Sequence, residues 1–179
     1  MIRNPRAVTE RFERLQLEAE RQIDCFVKPP YFNRTGNQAE QKVLRRGVRV
    51  RGVYEKTALE DSGVKPYFHK WITAGEDARV YDGELPHKMV IFDSQVVLMP
   101  LIMPGEQMRA LLIRNAQLAQ NLSLAFQYVW DRSEAVAAAR KASAKYQQST
   151  GRGQITRVSG SAAMADVVSP RRNRNVQKK

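Results

Sequence analysis

The chain has 179 residues and a net charge of +12, long enough for one domain and an appendage. An apolar fraction of 42% supports a packed core, and no apolar run approaches the length of a membrane span. The start, Met1 to Arg6, lacks the apolar stretch of a signal peptide, so a cytoplasmic protein with no membrane partner is expected. The charge is uneven. Residues 140–179 hold ten Lys or Arg against the single acid Asp166, so nine of the twelve net charges lie there and the body is nearly balanced.

In chain order, Asn4 then Pro5 is a helix-start signal. Val8, Phe12, Leu15, Ala19 and Ile23 recur every three or four residues as an amphipathic stripe. Strand character takes over from Ile23 to Val27 and stops at Pro29-Pro30. A second helix is expected over 37–46, stopped by Gly47. Val48 to Tyr54 alternates as a strand, with Arg49 and Arg51 on one face. Pro66 to Ala74 reads as a third helix ended by Gly75, with Tyr67, Phe68, Trp71 and Ile72 on a core side.

Ala78 to Tyr81 is a short strand. Lys88 to Phe92, a turn at Asp93-Ser94-Gln95, and Val96 to Met99 form a hairpin. The strand ending at Phe92 is apolar on both faces and so belongs inside a sheet. Arg109 to Ile113 is another strand. Asn115 caps a long helix closing near Trp130. Ala135 to Lys145 keeps helix propensity without large apolar residues, and the chain beyond Gly151 reads as disordered. The order describes an α/β domain, a mixed sheet flanked by helices, with a long C-terminal helix. The divisions are 1–133 for the domain, 134–150 for a helical extension and 151–179 for a disordered basic tail.

The segment Leu85-Pro86-His87-Lys88, with Asp93 five residues after Lys88, resembles the phospholipase D signature His-x-Lys-x4-Asp. Lys88 and Asp93 match it. The place of the attacking imidazole is Pro86, and His87 is one residue late. A one-residue shift in extended chain turns a side chain to the opposite face. The resemblance therefore implies a degenerate phospholipase-D-like domain without enzymatic activity.

Further stretches extend the likeness: Phe12 to Gln16, Lys28 to Tyr31, Arg46 to Tyr54, Ala74 to Val80, Val97 to Leu101, and Phe126 to Arg132. Together they resemble the phospholipase-D-like effector domain of TrmB-type and LuxR-type transcriptional regulators of actinobacteria. That resemblance implies ligand sensing, homodimerisation, or both. Such domains accompany a helix-turn-helix, which is expected to be lacking here. A helix-turn-helix-containing relative then becomes a candidate partner, with this chain a headless decoy in one reading. A phosphodiesterase or nuclease working as a homodimer is the rival.

Candidate ligand-binding residues are Tyr31, Arg49, Arg51, His87 and Lys88. Each has a plainer reading: Tyr31 packed on the sheet, the arginines solvated or salt-bridged under a helix, Lys88 a strand-end charge. Asp93 reads as a turn residue held by its own side chain. Cys25, the single cysteine, reads as a structural thiol. Arg171, Arg172, Arg174, Lys178 and Lys179 are candidates for sequence-blind phosphate contact, or a solubilising tail. No metal site and no cofactor are expected; the small-molecule ligand has no signature.

Overall fold

The computed structural model describes residues 1–29, 38–61, 64–101 and 108–136. Twelve elements follow one another: α1 (Pro5–Glu18), β1 (Gln22–Val27), α2 (Gln38–Arg45), β2 (Arg49–Glu55), a 3-10 turn (Lys56–Leu59), α3 (Lys65–Ala74), β3 (Asp77–Tyr81), β4 (Met89–Phe92), β5 (Val96–Leu101), β6 (Arg109–Arg114), α4 (Ala116–Asp131) and β7 (Glu134–Ala135). The strands form one mixed sheet in the order β6-β5-β4-β1-β2-β3-β7. β1, β2 and β3 run parallel, and every other pairing is antiparallel.

The local signals act as their chemistry requires. The Asn4 side chain accepts the Arg6 amide and Pro5 opens α1. Asn115 likewise accepts the Leu118 amide at the start of α4. Gly47 and Gly75, with φ of 83° and 113°, end α2 and α3 in the left-handed region that side chains avoid. The α1 stripe stops sooner than the spacing suggests. Ala19 is already extended, and the Arg46 guanidinium takes the freed carbonyls of Leu17 and Ala19 at 2.8 and 2.6 Å. Ile23 joins the same core from β1.

Both faces of the sheet are covered. On one, Val8 and Leu15 of α1 and Val43 of α2 pack on Ile23, Val50, Val90 and Leu98, and Phe68 of α3 packs on Tyr54 and Val80. On the other, Phe126, Val129 and Trp130 of α4 pack on Phe26, Val53, Met89 and Ile91. All four residues of β4 are buried, as an interior strand demands. Pro100 extends β5 past its last β4 partner, Leu98, so its missing amide costs the sheet no bond on that side.

One boundary needs correction. Ala135 does not begin a helix; with Glu134 it pairs antiparallel to Arg79 and Val80 of β3. Ser133 closes α4 by donating to the Val129 carbonyl at 2.7 Å, and the chain turns back to cover the β3 edge. Val136 is buried in the core beside Tyr54 and Phe68. The folded body therefore runs past residue 133. The rest of the expected extension and the basic tail lie outside the described residues.

Candidate ligand-binding cavity

Between the sheet and its three-helix face lies a cavity of about 130 Å³. Its apolar wall includes Val8 and Phe12 from α1, Ile23 from β1, Val50 from β2, Trp71 from α3 and Leu98 from β5. Polar groups interrupt that wall in two places. Glu40, Tyr54, Glu76 and Gln16 lie toward the β2–β3 side, and Lys88 enters from the β4 side.

The acidic end is deeply buried. Gln16, Glu40 and Glu76 are 2%, 8% and 7% exposed. The Tyr54 hydroxyl donates to Glu76 Oε1 at 2.8 Å, the Glu76 and Glu40 carboxyls share a side-chain hydrogen bond, and Gln16 Oε1 meets no donor among the described residues. Burial, followed by the charge of Glu40, pushes the Glu76 carboxyl well above the ordinary glutamate range, against the pull of the Tyr54 hydroxyl. The same burial and the same two carboxyls push Tyr54 upward.

Gly52 is the backbone condition for this arrangement. A Cβ there would collide with Glu76 Oε1 and with the Tyr54 ring. A glycine inside a strand marks such a close approach, and it was the one sequence signal of the buried carboxyls. Cys25 also lines the cavity; burial first, against the opposing charge of Lys88, drives its thiol up to about 12. Such a thiol is inert at neutral pH.

The signature segment divides its residues. Lys88 is half-buried, lines the cavity, and donates to the Lys28 carbonyl at 3.0 Å. Burial lowers its ammonium to about 8. His87 is exposed, and its Nδ1–H donates to the Lys88 carbonyl at 2.8 Å. Pro86 is exposed as well. The loop before β4 is pinned by Lys28, which donates to the Leu85 carbonyl at 2.8 Å and pairs with Glu84 and Glu55 at 3.2 and 3.3 Å. Glu55 in turn accepts the Leu85 amide at 3.0 Å.

Asp93 does more than form a turn. Its carboxylate accepts the backbone amides of Glu20, Arg21 and Gln22 at 2.9, 2.8 and 2.9 Å. Partial burial works to raise this carboxyl, but the three amide donors outweigh it and leave the pKa below the usual aspartate value.

Of the remaining candidates, Arg51 and Arg49 do not join Lys88. Arg51 lies on the opposite face, beneath α4. It grips both Asp24 oxygens at 2.7 and 2.9 Å, donates to Gln127 at 2.8 Å, and stacks 4.8 Å from the Phe126 ring centre and 5.0 Å from that of Trp130. Of its two plainer readings, the salt-bridged layer is the observed one. Arg49 is exposed and pairs with Asp77 at 3.5 Å. Tyr31 and the basic residues Arg171, Arg172, Arg174, Lys178 and Lys179 lie outside the described residues. Among the described residues, no His, Cys, Asp and Glu cluster could hold a metal ion, and no helix is long and apolar enough to cross a membrane.

Compared by sequence, the chain matches no family model and no curated protein. Compared by structure, 75% of it superposes on TrmBL2, an archaeal chromatin protein, with a TM-score of 0.59 and 17% identity. It spans 52% of that chain's length. Nuc, a phospholipase D family member from Salmonella typhimurium, matches 71% of this chain and 89% of its own, with a TM-score of 0.59 and 16% identity. NucT from Helicobacter pylori matches 73% and 92%, with a TM-score of 0.59 and 12% identity. The mixed seven-stranded sheet with helices on both faces is thus a phospholipase-D-like fold.

Proposed function

We propose that this chain is a regulatory module that binds a small molecule and does not cut phosphodiesters. One observation carries the reading: the signature lysine, Lys88, lines a largely apolar cavity while the attacking imidazole's place is the exposed Pro86. Phospholipase D chemistry needs an imidazole beside the phosphoryl-binding lysine, to attack phosphorus and carry the covalent intermediate. His87 turns to solvent instead. A largely apolar cavity with a few convergent polar groups is the form that small-molecule sites take.

The likeness to TrmB-type and LuxR-type effector domains supports a role in transcription control. In that role the chain forms a homodimer in the cytoplasm and works with a helix-turn-helix-containing relative, and its basic tail adds salt-sensitive contact with nucleic acid. The decoy reading differs only in outcome: the relative is withheld from DNA. Fold likeness to Nuc and NucT favours the rival phosphodiesterase, with His87 paired across a homodimer. Hydrolysis of bis(p-nitrophenyl) phosphate by the native chain and by His87→Ala separates the two. Equal background rates are expected; a native rate lost in the variant would establish the enzyme.

A further inference from the structure

Resting on the homodimer reading above, we propose that two copies of this chain join through the outer face of α4, along Gln117, Asn121, Leu124 and Tyr128.

α4 packs Phe126, Val129 and Trp130 on the sheet, yet its opposite side is not an ordinary solvent face. Leu124 and Tyr128 are 71% and 60% exposed, and Leu118 on the flank is 41% exposed. No charged residue occurs from Ala116 to Trp130. Charges stand only at the ends: Arg114 before the helix, Asp131 and Arg132 after, with Arg132 lying 3.5 Å from the Tyr128 ring centre. α1 shows the contrast, presenting Arg6, Glu10, Glu13, Arg14 and Glu18 to water, as a helix surface that stays solvated does.

The outward residues are also spaced as a seam. Positions 117, 121, 124 and 128 step by four, three and four, the heptad rhythm by which two helices keep one line of contact. Gln117 and Leu124 then stand at d positions, Asn121 and Tyr128 at a positions. A single asparagine at a sets the register of such a pair. Parallel pairing places each residue against its own copy. Leu124 meets Leu124, and the amides of Gln117 and Asn121 meet amides, each both donor and acceptor. Such a patch is self-complementary, as a two-fold contact requires.

Charge selects a second copy as the occupant. Two chains of net charge +12 repel wherever basic surfaces meet, and this strip brings no charge against another. A strongly acidic or basic foreign partner finds no counter-charge on it. Residues 137–145 of the chain itself offer no large apolar side chain to cover Leu124 and Tyr128. The helix has 16 residues and is about 24 Å long. A strip of that length lies at the small end of specific interfaces, so the dimer is reversible.

Sedimentation velocity of the full chain from micromolar to submillimolar concentration, at low and high salt, tests the seam. A monomer–dimer equilibrium that tightens with salt is expected, because salt screens two cationic chains and the strip has no ion pairs to lose. Leu124→Glu should weaken the dimer at least about tenfold by setting two carboxylates face to face. Leu17→Glu, at an exposed apolar residue of α1, should leave it unchanged. Both variants are first shown to keep the native melting transition. Leu124→Cys should cross-link to its own copy on oxidation; failure to do so in a dimer that Leu124→Glu weakens overturns the parallel arrangement. A dimer that loosens with salt, or that Leu124→Glu does not weaken, overturns the seam and leaves the homodimer reading standing. A monomer under every condition overturns both. Slow reaction of the Leu124→Cys thiol in that monomer would give the face to residues 137–179 of the same chain.

Discussion

Asp93 and Gln22 are tied twice. The Asp93 carboxylate accepts the Gln22 amide at 2.9 Å, and the Asp93 amide donates to the Gln22 carbonyl at 2.8 Å. With Glu20 and Arg21 also donating to that carboxylate, one side chain fixes where α1 gives way to β1, from more than seventy residues away. Asp93 keeps its place in the signature and here serves architecture.

Replacing Asp93 with Ala should therefore destabilise the fold by about 1–2 kcal/mol, discounted from three charge-assisted bonds because the site is partly solvated. The pH dependence has a definite sign. A carboxyl depressed in the folded state contributes stability above its unfolded pKa and loses it as pH falls through the folded one. Urea melts from pH 6 down to pH 2 should show that acid-side loss in the native chain and a shallower one in Asp93→Asn. Parallel slopes would remove the assignment.

Arg51 and Asp24 are the buried pair beneath α4, 6% and 1% exposed. Truncating one partner leaves a charge with no counterpart in the core, which typically costs about 3–5 kcal/mol. Arg51→Met alone and Asp24→Leu alone should each fall in that range. The double variant should recover much of the loss, because an apolar pair needs no charge partner there. A double-mutant cycle in denaturant measures this, and simple additivity would mean that the two side chains are not coupled.

Lys88 should titrate two units or more below an ordinary lysine, near 8. Reductive methylation with a carbon-13 label, followed by NMR against pH, reads it directly. Because the folded pKa lies below the unfolded one, the unfolded chain binds more protons between the two values, and stability rises with pH across that window. Lys88→Met should abolish the rise. A labelled resonance at that position titrating above 10 would contradict the burial of the ammonium.

Gly52→Ala should cost about 1–3 kcal/mol, since the new methyl meets Glu76 and the Tyr54 ring. Glu76→Ala in the same chain should return part of that loss by vacating the space. If thermal melts of Gly52→Ala match those of the native chain, the close packing of strand and carboxyl is wrong.

Most of the architecture was readable from the chain. Capping by Asn4 and Asn115, the glycine stops at 47 and 75, and the apolar run ending at Phe92 all act through local chemistry, so the sequence exposes them directly. β7 escaped because two residues, Glu134 and Ala135, carry no strand preference; what makes them a strand is the open edge of β3. The site was half legible. Lys88 stood out through its motif, but Gln16, Glu40 and Glu76 look like ordinary helix-surface and turn residues until the sheet and helices bring them to one cavity. For Arg51 the salt-bridged layer under a helix was legible as one of the open readings, but its partner was not, because Asp24 comes from another strand.

The two-residue pairing of β7 with β3 gives the molecule a mechanical link. Tension on the polypeptide leaving Ala135 falls on Arg79 and Val80, three and four positions beyond Glu76 on one continuous run of backbone. So short a ladder can be peeled away without melting the rest of the sheet. Whatever pulls on the chain after Ala135 therefore loads the strand that carries Glu76 near its start.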